Sequence, residues 1–217
     1  MHYTAILSAL VLSTTLPAYS QVPLAPAPHR AGLHLAVGSA GIGTGDYMAL
    51  KGHIEYAPFF GRYLGTGTRL AFVGGSRESY ATVYAPYNLN DPRTAGSRGV
   101  TVPYAMSYEA VNLEQEVYLY PFGNNKQVLF ALGGGGYVGY SNRYGAPATR
   151  IVDWNSGAQT LTLDHEQGLH AGYMFSLNLD VSLGSTSQWL VGGKTSFQND
   201  TFGNSLATLQ LKVGRQF

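Results

Sequence analysis

The final thirteen residues, SLATLQLKVGRQF, alternate almost without a break. Ala207, Leu209, Leu211, Val213 and Phe217 share one parity; Thr208, Gln210, Lys212, Gly214 and Gln216 share the other. Successive side chains of a strand point to opposite faces, so this pattern specifies a strand with one apolar and one polar face. The apolar parity includes the last residue, Phe217, where soluble domains more often fray into a polar tail.

The same alternation recurs upstream. Leu33, Leu35 and Val37 oppose His34, Ala36 and Gly38, and Gly52, Ile54 and Tyr56 oppose Lys51, His53 and Glu55. Leu64, Leu70 and Phe72 oppose Arg69 and Ala71, while Val111, Leu113, Val117 and Leu119 oppose Asn112, Glu114, Glu116 and Tyr118. Val128, Phe130, Leu132, Val138 and Tyr140 share a face of a glycine-rich strand. Leu169 to Val181 (odd numbers) oppose Glu166, His170, Ser176, Asn178 and Asp180, and Trp189, Val191 and Phe197 oppose Gly192, Lys194, Ser196 and Gln198. With the terminal strand the count reaches about eight.

A soluble sandwich alternates too, but its apolar face is shorter and its polar face is wet. Here the apolar faces persist for about nine to eleven positions, the length of a tilted membrane strand. Connections near Phe59–Arg62, Pro121–Gln127 and Gly184–Ser187 are short, whereas Ser76–Tyr104 and Asn142–Leu163 read as long polar loops. Short turns at one rim and longer loops at the other characterise outer-membrane barrels. Aromatics gather near both rims: Phe59, Phe60, Tyr63, Tyr120, Phe122, Trp189 and Phe217 at the short-turn side, Tyr47, Tyr108, Tyr140, Tyr144, Phe197 and Phe202 at the other. Amphipathic rings favour membrane interfaces. The expected fold is all-β: an eight-stranded antiparallel up-and-down transmembrane β-barrel over residues 31–217.

Residues 1–20 read as an export signal. An apolar stretch from Ala5 to Leu16 precedes Pro17, and Ala18 and Ser20 match small-x-small cleavage, although the segment before them lacks Lys and Arg. Residues 21–30, QVPLAPAPHR, read as a Pro-rich linker. The apolar run is too short for a membrane-spanning helix. Only 12% of residues are charged, about half the soluble norm. The net charge of +1 leaves no nucleic-acid footprint. Cysteine is absent, which excludes disulfides and thiolate metal sites.

The export signal, the strand lengths, the YPFGNN turn at Tyr120–Asn125 and the outward terminal Phe217 together resemble the small bacterial outer-membrane β-barrels of the OmpA, OmpX and OmpW kind. The resemblance covers about Ala31 to Phe217 and is one of pattern. It implies a bacterial outer-membrane location, contact with outer-membrane lipid, and recognition of the terminal strand, with Phe217 as assembly signal, by the barrel-assembly machinery. It implies no cofactor. Some small barrels modify lipid A with rim His and Ser residues, but no strand here carries a His-x-Ser pair.

Two glycine-rich stretches are weak motifs. GSAGIGTGDY, Gly38–Tyr47, lacks the helix a dinucleotide loop requires, and Gly133–Gly136 suits sharp strand curvature. Asp164, His165, Glu166 and His170 could suggest a metal or acid–base site, yet they read more simply as rim polarity, so no metal or catalytic residue is expected. Depth along the strands points inside instead. Lys51, His53, Glu55, Glu114, Glu116, Asp180, Lys194 and Lys212 share the polar parity at similar heights. In an eight-stranded barrel such side chains fill the interior, so long Lys and Glu side chains on the fourth and eighth strands are expected to meet near the axis and block the lumen. The function expected is a non-enzymatic structural or surface-interaction role through the loops. A narrow channel or carrier and a lipid A-modifying enzyme are the alternatives.

Overall fold

A computed structural model describes residues 31–43, 47–84, 99–152, 159–183 and 188–217. The expected export signal and linker lie outside the described residues. Eight antiparallel strands form a closed barrel in chain order: β1 (Ala31–Ile42), β2 (Tyr47–Phe60), β3 (Leu64–Tyr84), β4 (Gly99–Leu119), β5 (Val128–Val152), β6 (Gln159–Leu183), β7 (Trp189–Asp200) and β8 (Ser205–Gln216). β1 closes the ring on β8, with Leu35 opposite Val213 and Val37 opposite Leu211. The seam is completed by Ala31 N donating to Phe217 O at 3.1 Å and Phe217 N to Ala31 O at 2.9 Å. Closure leaves no strand edge around the wall to face lipid unpaired, which the bilayer core demands.

The parity read in the sequence is the parity of the wall. Leu33, Leu35, Val37, Ile54, Leu70, Phe72, Leu113, Val117, Leu177, Leu179 and Val213 are exposed on the outside. Leu211 is 77% exposed, while Lys212 beside it is buried. The protein is therefore inverted relative to a soluble domain, with apolar side chains outward and polar ones inward. Three aromatics assigned to the rims are corrected by the same criterion. Phe59, Tyr108 and Tyr120 are buried inside the barrel rather than set in an outer girdle. Height along a strand did not distinguish the two faces at these ends.

The long connections are also corrected. β3 and β4 remain paired from Leu64↔Leu119 up to Tyr84↔Gly99, and β5 and β6 from Val128↔Val181 up to Val152↔Gln159. Much of Ser76–Tyr104 and Asn142–Leu163 is thus strand. β1, β7 and β8 have 12 residues each, about the bilayer's reach once tilted. β3 and β4 have 21, and β5 and β6 have 25. At roughly 3.4 Å per residue, the β5–β6 hairpin continues tens of ångströms beyond the last β6–β7 pair, Gly172↔Asp200. On its outer face the apolar belt ends at Tyr140 and Leu169. Above them Gln167 Nε2 donates to the Tyr140 hydroxyl, His165 pairs with Asn142 at 2.9 Å, and His165 stacks on Tyr144 with ring centroids 4.2 Å apart.

At the opposite rim the turns are stitched to one another. Tyr120 N donates to Tyr63 O at 2.8 Å, Asn124 N to Arg62 O at 2.9 Å, and Asn124 Nδ2 to Gly61 O at 2.7 Å. Gly61 and Gly123 hold φ of 83° and 80° in these turns, a region that side chains with a Cβ seldom adopt.

Candidate functional site in the barrel lumen

Seen from the short-turn rim, the interior has three layers. Phe59, Tyr118, Tyr120 and Ala131 form an aromatic floor, with Phe59 and Tyr120 rings 5.2 Å apart. Ala40, Ile42, Ala49, Val73, Tyr108, Ala110 and Leu206 form an apolar cluster toward the long-strand rim. Between them lies a lattice of buried charge.

Arg69 on β3 is its centre. Register places it directly opposite Glu55 on β2 and Glu114 on β4. Its Nη2 lies 2.7 Å from Glu116 Oε2, its Nε 2.9 Å from Glu114 Oε2 in an ion pair, and its Nη1 3.7 Å from Glu55 Oε1. Nη1 also donates to the Tyr118 hydroxyl at 3.2 Å, and Nη2 approaches Met174 Sδ at 3.1 Å across the barrel. The Tyr118 hydroxyl meets both Glu55 and Glu116. Lys51 Nζ pairs with Glu114 at 2.5 Å and reaches Gln198 at 2.9 Å, and Gln198 in turn donates to Glu114 at 2.7 Å. Lys194 Nζ pairs with Glu116 at 2.6 Å and sits over the Tyr118 ring. Lys212 and Asp180 form a separate pair at 2.5 Å.

Four cations (Lys51, Arg69, Lys194, Lys212) thus face four carboxylates (Glu55, Glu114, Glu116, Asp180), and all eight are buried. A buried charge without a partner is strongly unfavourable, so full pairing is what lets them stay inside. His53 is buried beside this lattice with no protein hydrogen bond to either ring nitrogen. Lys212 does not reach the β4 glutamates, as its height suggested it would. It crosses Gly192 to Asp180, because register places Asp180, Gly192 and Lys212 side by side on β6, β7 and β8. Sequence reasoning also missed Arg69 as a member, although its inward parity was legible. The four residues at Asp164–His170 are not drawn together. His165 faces outward, while His170 turns inward between Ser141 at 3.0 Å and Asn112 at 2.9 Å.

Inward glycines make the room this lattice needs. A Cβ on Gly67 would lie 2.2 Å from Glu55 Oε1, and one on Gly192 2.2 Å from Asp180 Oδ1. The run Gly133–Gly136 divides by face. A Cβ on Gly135 would lie 2.0 Å from the Gln115 carbonyl oxygen, whereas one on Gly134 would meet nothing nearer than Phe175 at 3.8 Å. At Gly133 a Cβ would displace side-chain atoms of Ser176 and Glu116, and at Gly135 it would strike the β4 backbone, so the inward members permit close packing beside β4. Gly135→Ala should therefore cost about 1–3 kcal/mol by overpacking, and Gly134→Ala on the lipid side should be near neutral. Urea titrations of the two variants in lipid vesicles test this; equal effects would refute the division.

No family model matches the chain, and no curated protein matches it. Solved structures do. Ail of Yersinia pestis, in complex with the heparin analogue sucrose octasulfate, superposes with a TM-score of 0.51 at 9% identity, covering 87% of this chain and 99% of Ail. Ail alone gives 0.51 at 8% identity with the same coverage. The fold is that of the eight-stranded bacterial outer-membrane β-barrels. A major outer-membrane protein of Thermus thermophilus is more distant, with a TM-score of 0.48 at 14% identity over 88% of this chain and 100% of that one. In this fold the cross-section of eight strands is just wide enough for side chains to fill.

Proposed function

We propose that the protein is a non-enzymatic outer-membrane barrel with an occluded lumen, acting through the strand extensions and loops of its taller side. The charge-balanced lattice carries this reading. A hydrated pore keeps its charged groups apart, each with water around it. Here Lys51, Lys194 and Lys212 all lie within 2.6 Å of a carboxylate oxygen, between an aromatic floor and an apolar cap. Separating them would leave ions in a low-dielectric interior.

The competing reading is a narrow channel or carrier in which the same residues act as selectivity groups. Single-channel recording in planar bilayers distinguishes the two. The purified barrel is expected to show no steady conductance. A steady conductance that changes on Glu116→Gln or Lys212→Gln would overturn the occluded lumen.

The surface that remains for a partner is the β3–β6 wall. Its described residues mix Glu78, Glu109, Asp164 and Glu166 with Arg77 and Arg143. Among the described residues this surface presents no cationic patch of the kind that would favour a polyanion like the heparin analogue bound by Ail. A mixed-charge protein or glycan surface fits it better.

A further inference from the structure

A groove of about 660 Å³ opens on the outside of the barrel at the short-turn rim, lined by Phe122, Lys126, Gln127, Val128, Phe130 and Leu179. Val128 and Leu179 lie on the lipid-facing parity, each 51% exposed. Phe122 projects from the β4–β5 turn, its ring centroid 6.3 Å from that of Phe130. The groove is held in shape by the stitched turns and by Ser182 N donating to Gln127 O at 2.8 Å. Its lining is apolar apart from Lys126 and Gln127.

Lys126 is exposed and makes no hydrogen bond or ion pair among the described residues. The other cations at this rim are engaged by aromatic faces: Arg62 lies over Tyr63 at 5.3 Å and Arg215 over Trp189 at 5.9 Å. Residues 57–66, 119–130, 188–191 and 214–217 contain no Asp or Glu. The occupant this site matches has an apolar body, to displace water from Phe122, Phe130 and Leu179, and an anionic head, to satisfy Lys126. It must also reach the groove from the membrane, since the lining faces outward.

We propose that the groove is a binding site for one anionic phospholipid from the leaflet on the short-turn side. An acyl chain lies against Phe122, Val128, Phe130 and Leu179, and the phosphate accepts a hydrogen bond from the Lys126 ammonium. The assignment rests on the membrane reading above.

The test uses the mature barrel in vesicles of equal phosphatidylcholine and phosphatidylglycerol, extracted into neutral detergent, with retained lipid measured by native mass spectrometry. One phosphatidylglycerol should remain bound in preference to phosphatidylcholine. Lys126→Gln should reduce its retention about tenfold, the equivalent of one charge-assisted hydrogen bond. Leu179→Trp, which fills the groove, should release both lipids. Arg215→Gln removes the same charge elsewhere on the rim and should leave retention unchanged. A heat-dependent gel shift verifies that each variant is folded. Equal retention of the two lipids, or no response to Lys126→Gln, overturns the site. Equal loss in Lys126→Gln and Arg215→Gln reduces it to a diffuse field and overturns it too. A chain that fails to insert into these vesicles brings down the membrane reading itself, whereas insertion without retained lipid brings down only the groove.

Discussion

Arg69→Met is expected to destabilise the barrel by about 3–5 kcal/mol, the cost of removing one partner from a buried ionic network. The substitution keeps an aliphatic stem and deletes the guanidinium that touches Glu55, Glu114 and Glu116. Three carboxylates are then left with two ammonium groups, Lys51 and Lys194. Glu55 is the member without a lysine within ion-pair distance, so Arg69→Met combined with Glu55→Gln restores neutrality and leaves two intact pairs. The double variant should recover at least half of the loss. Urea titrations of refolding into lipid vesicles measure both. A single-variant cost below about 1 kcal/mol would show that the lattice is not coupled through Arg69.

Leu211→Arg should cost about 2–4 kcal/mol, as a cation does near the midplane on the lipid face of a barrel. Leu211 sits in the middle of β8, 77% exposed, opposite Val37 on β1 and Gly193 on β7. The sign of the effect is what matters. In a water-soluble sheet, replacing so exposed a leucine with arginine would be neutral or favourable. Lys212→Gln, one residue away and inward, will not be mild, because it abandons the buried Asp180. A harmless Leu211→Arg in the same titration would overturn the face assignment.

Which parts of this were legible in the sequence follows from where water and lipid lie. Along Leu33–Val37, along Leu113–Leu119 and at Leu209 and Leu211 of β8, one face meets lipid and the other a polar lumen, so period two is sharp. Above Phe72 on β3 and Tyr140 on β5 both faces leave the membrane. The contrast vanishes, and residues that are strand in the structure read as loop. The inward set was readable because parity alone defines it. Partner choice was not, because pairing across the lumen depends on register. Nothing in the local sequence states that Arg69 is level with both Glu55 and Glu114, or that Gly192 stands between Asp180 and Lys212. Glycine was the one hint: small residues facing inward beside large charged ones mark where a long side chain must pass.

The bonds that cross the interior link β2 to β7 through Lys51 and Gln198, β4 to β7 through Glu116 and Lys194, and β3 to β6 through Arg69 and Met174. A plain tube resists flattening only through the stiffness of its wall. These contacts act as struts in different directions across one cross-section. Lateral pressure from a crowded bilayer, which would squeeze an empty eight-stranded cylinder into an ellipse, must here compress or break these three contacts, the Glu116–Lys194 ion pair among them, before the section can change shape.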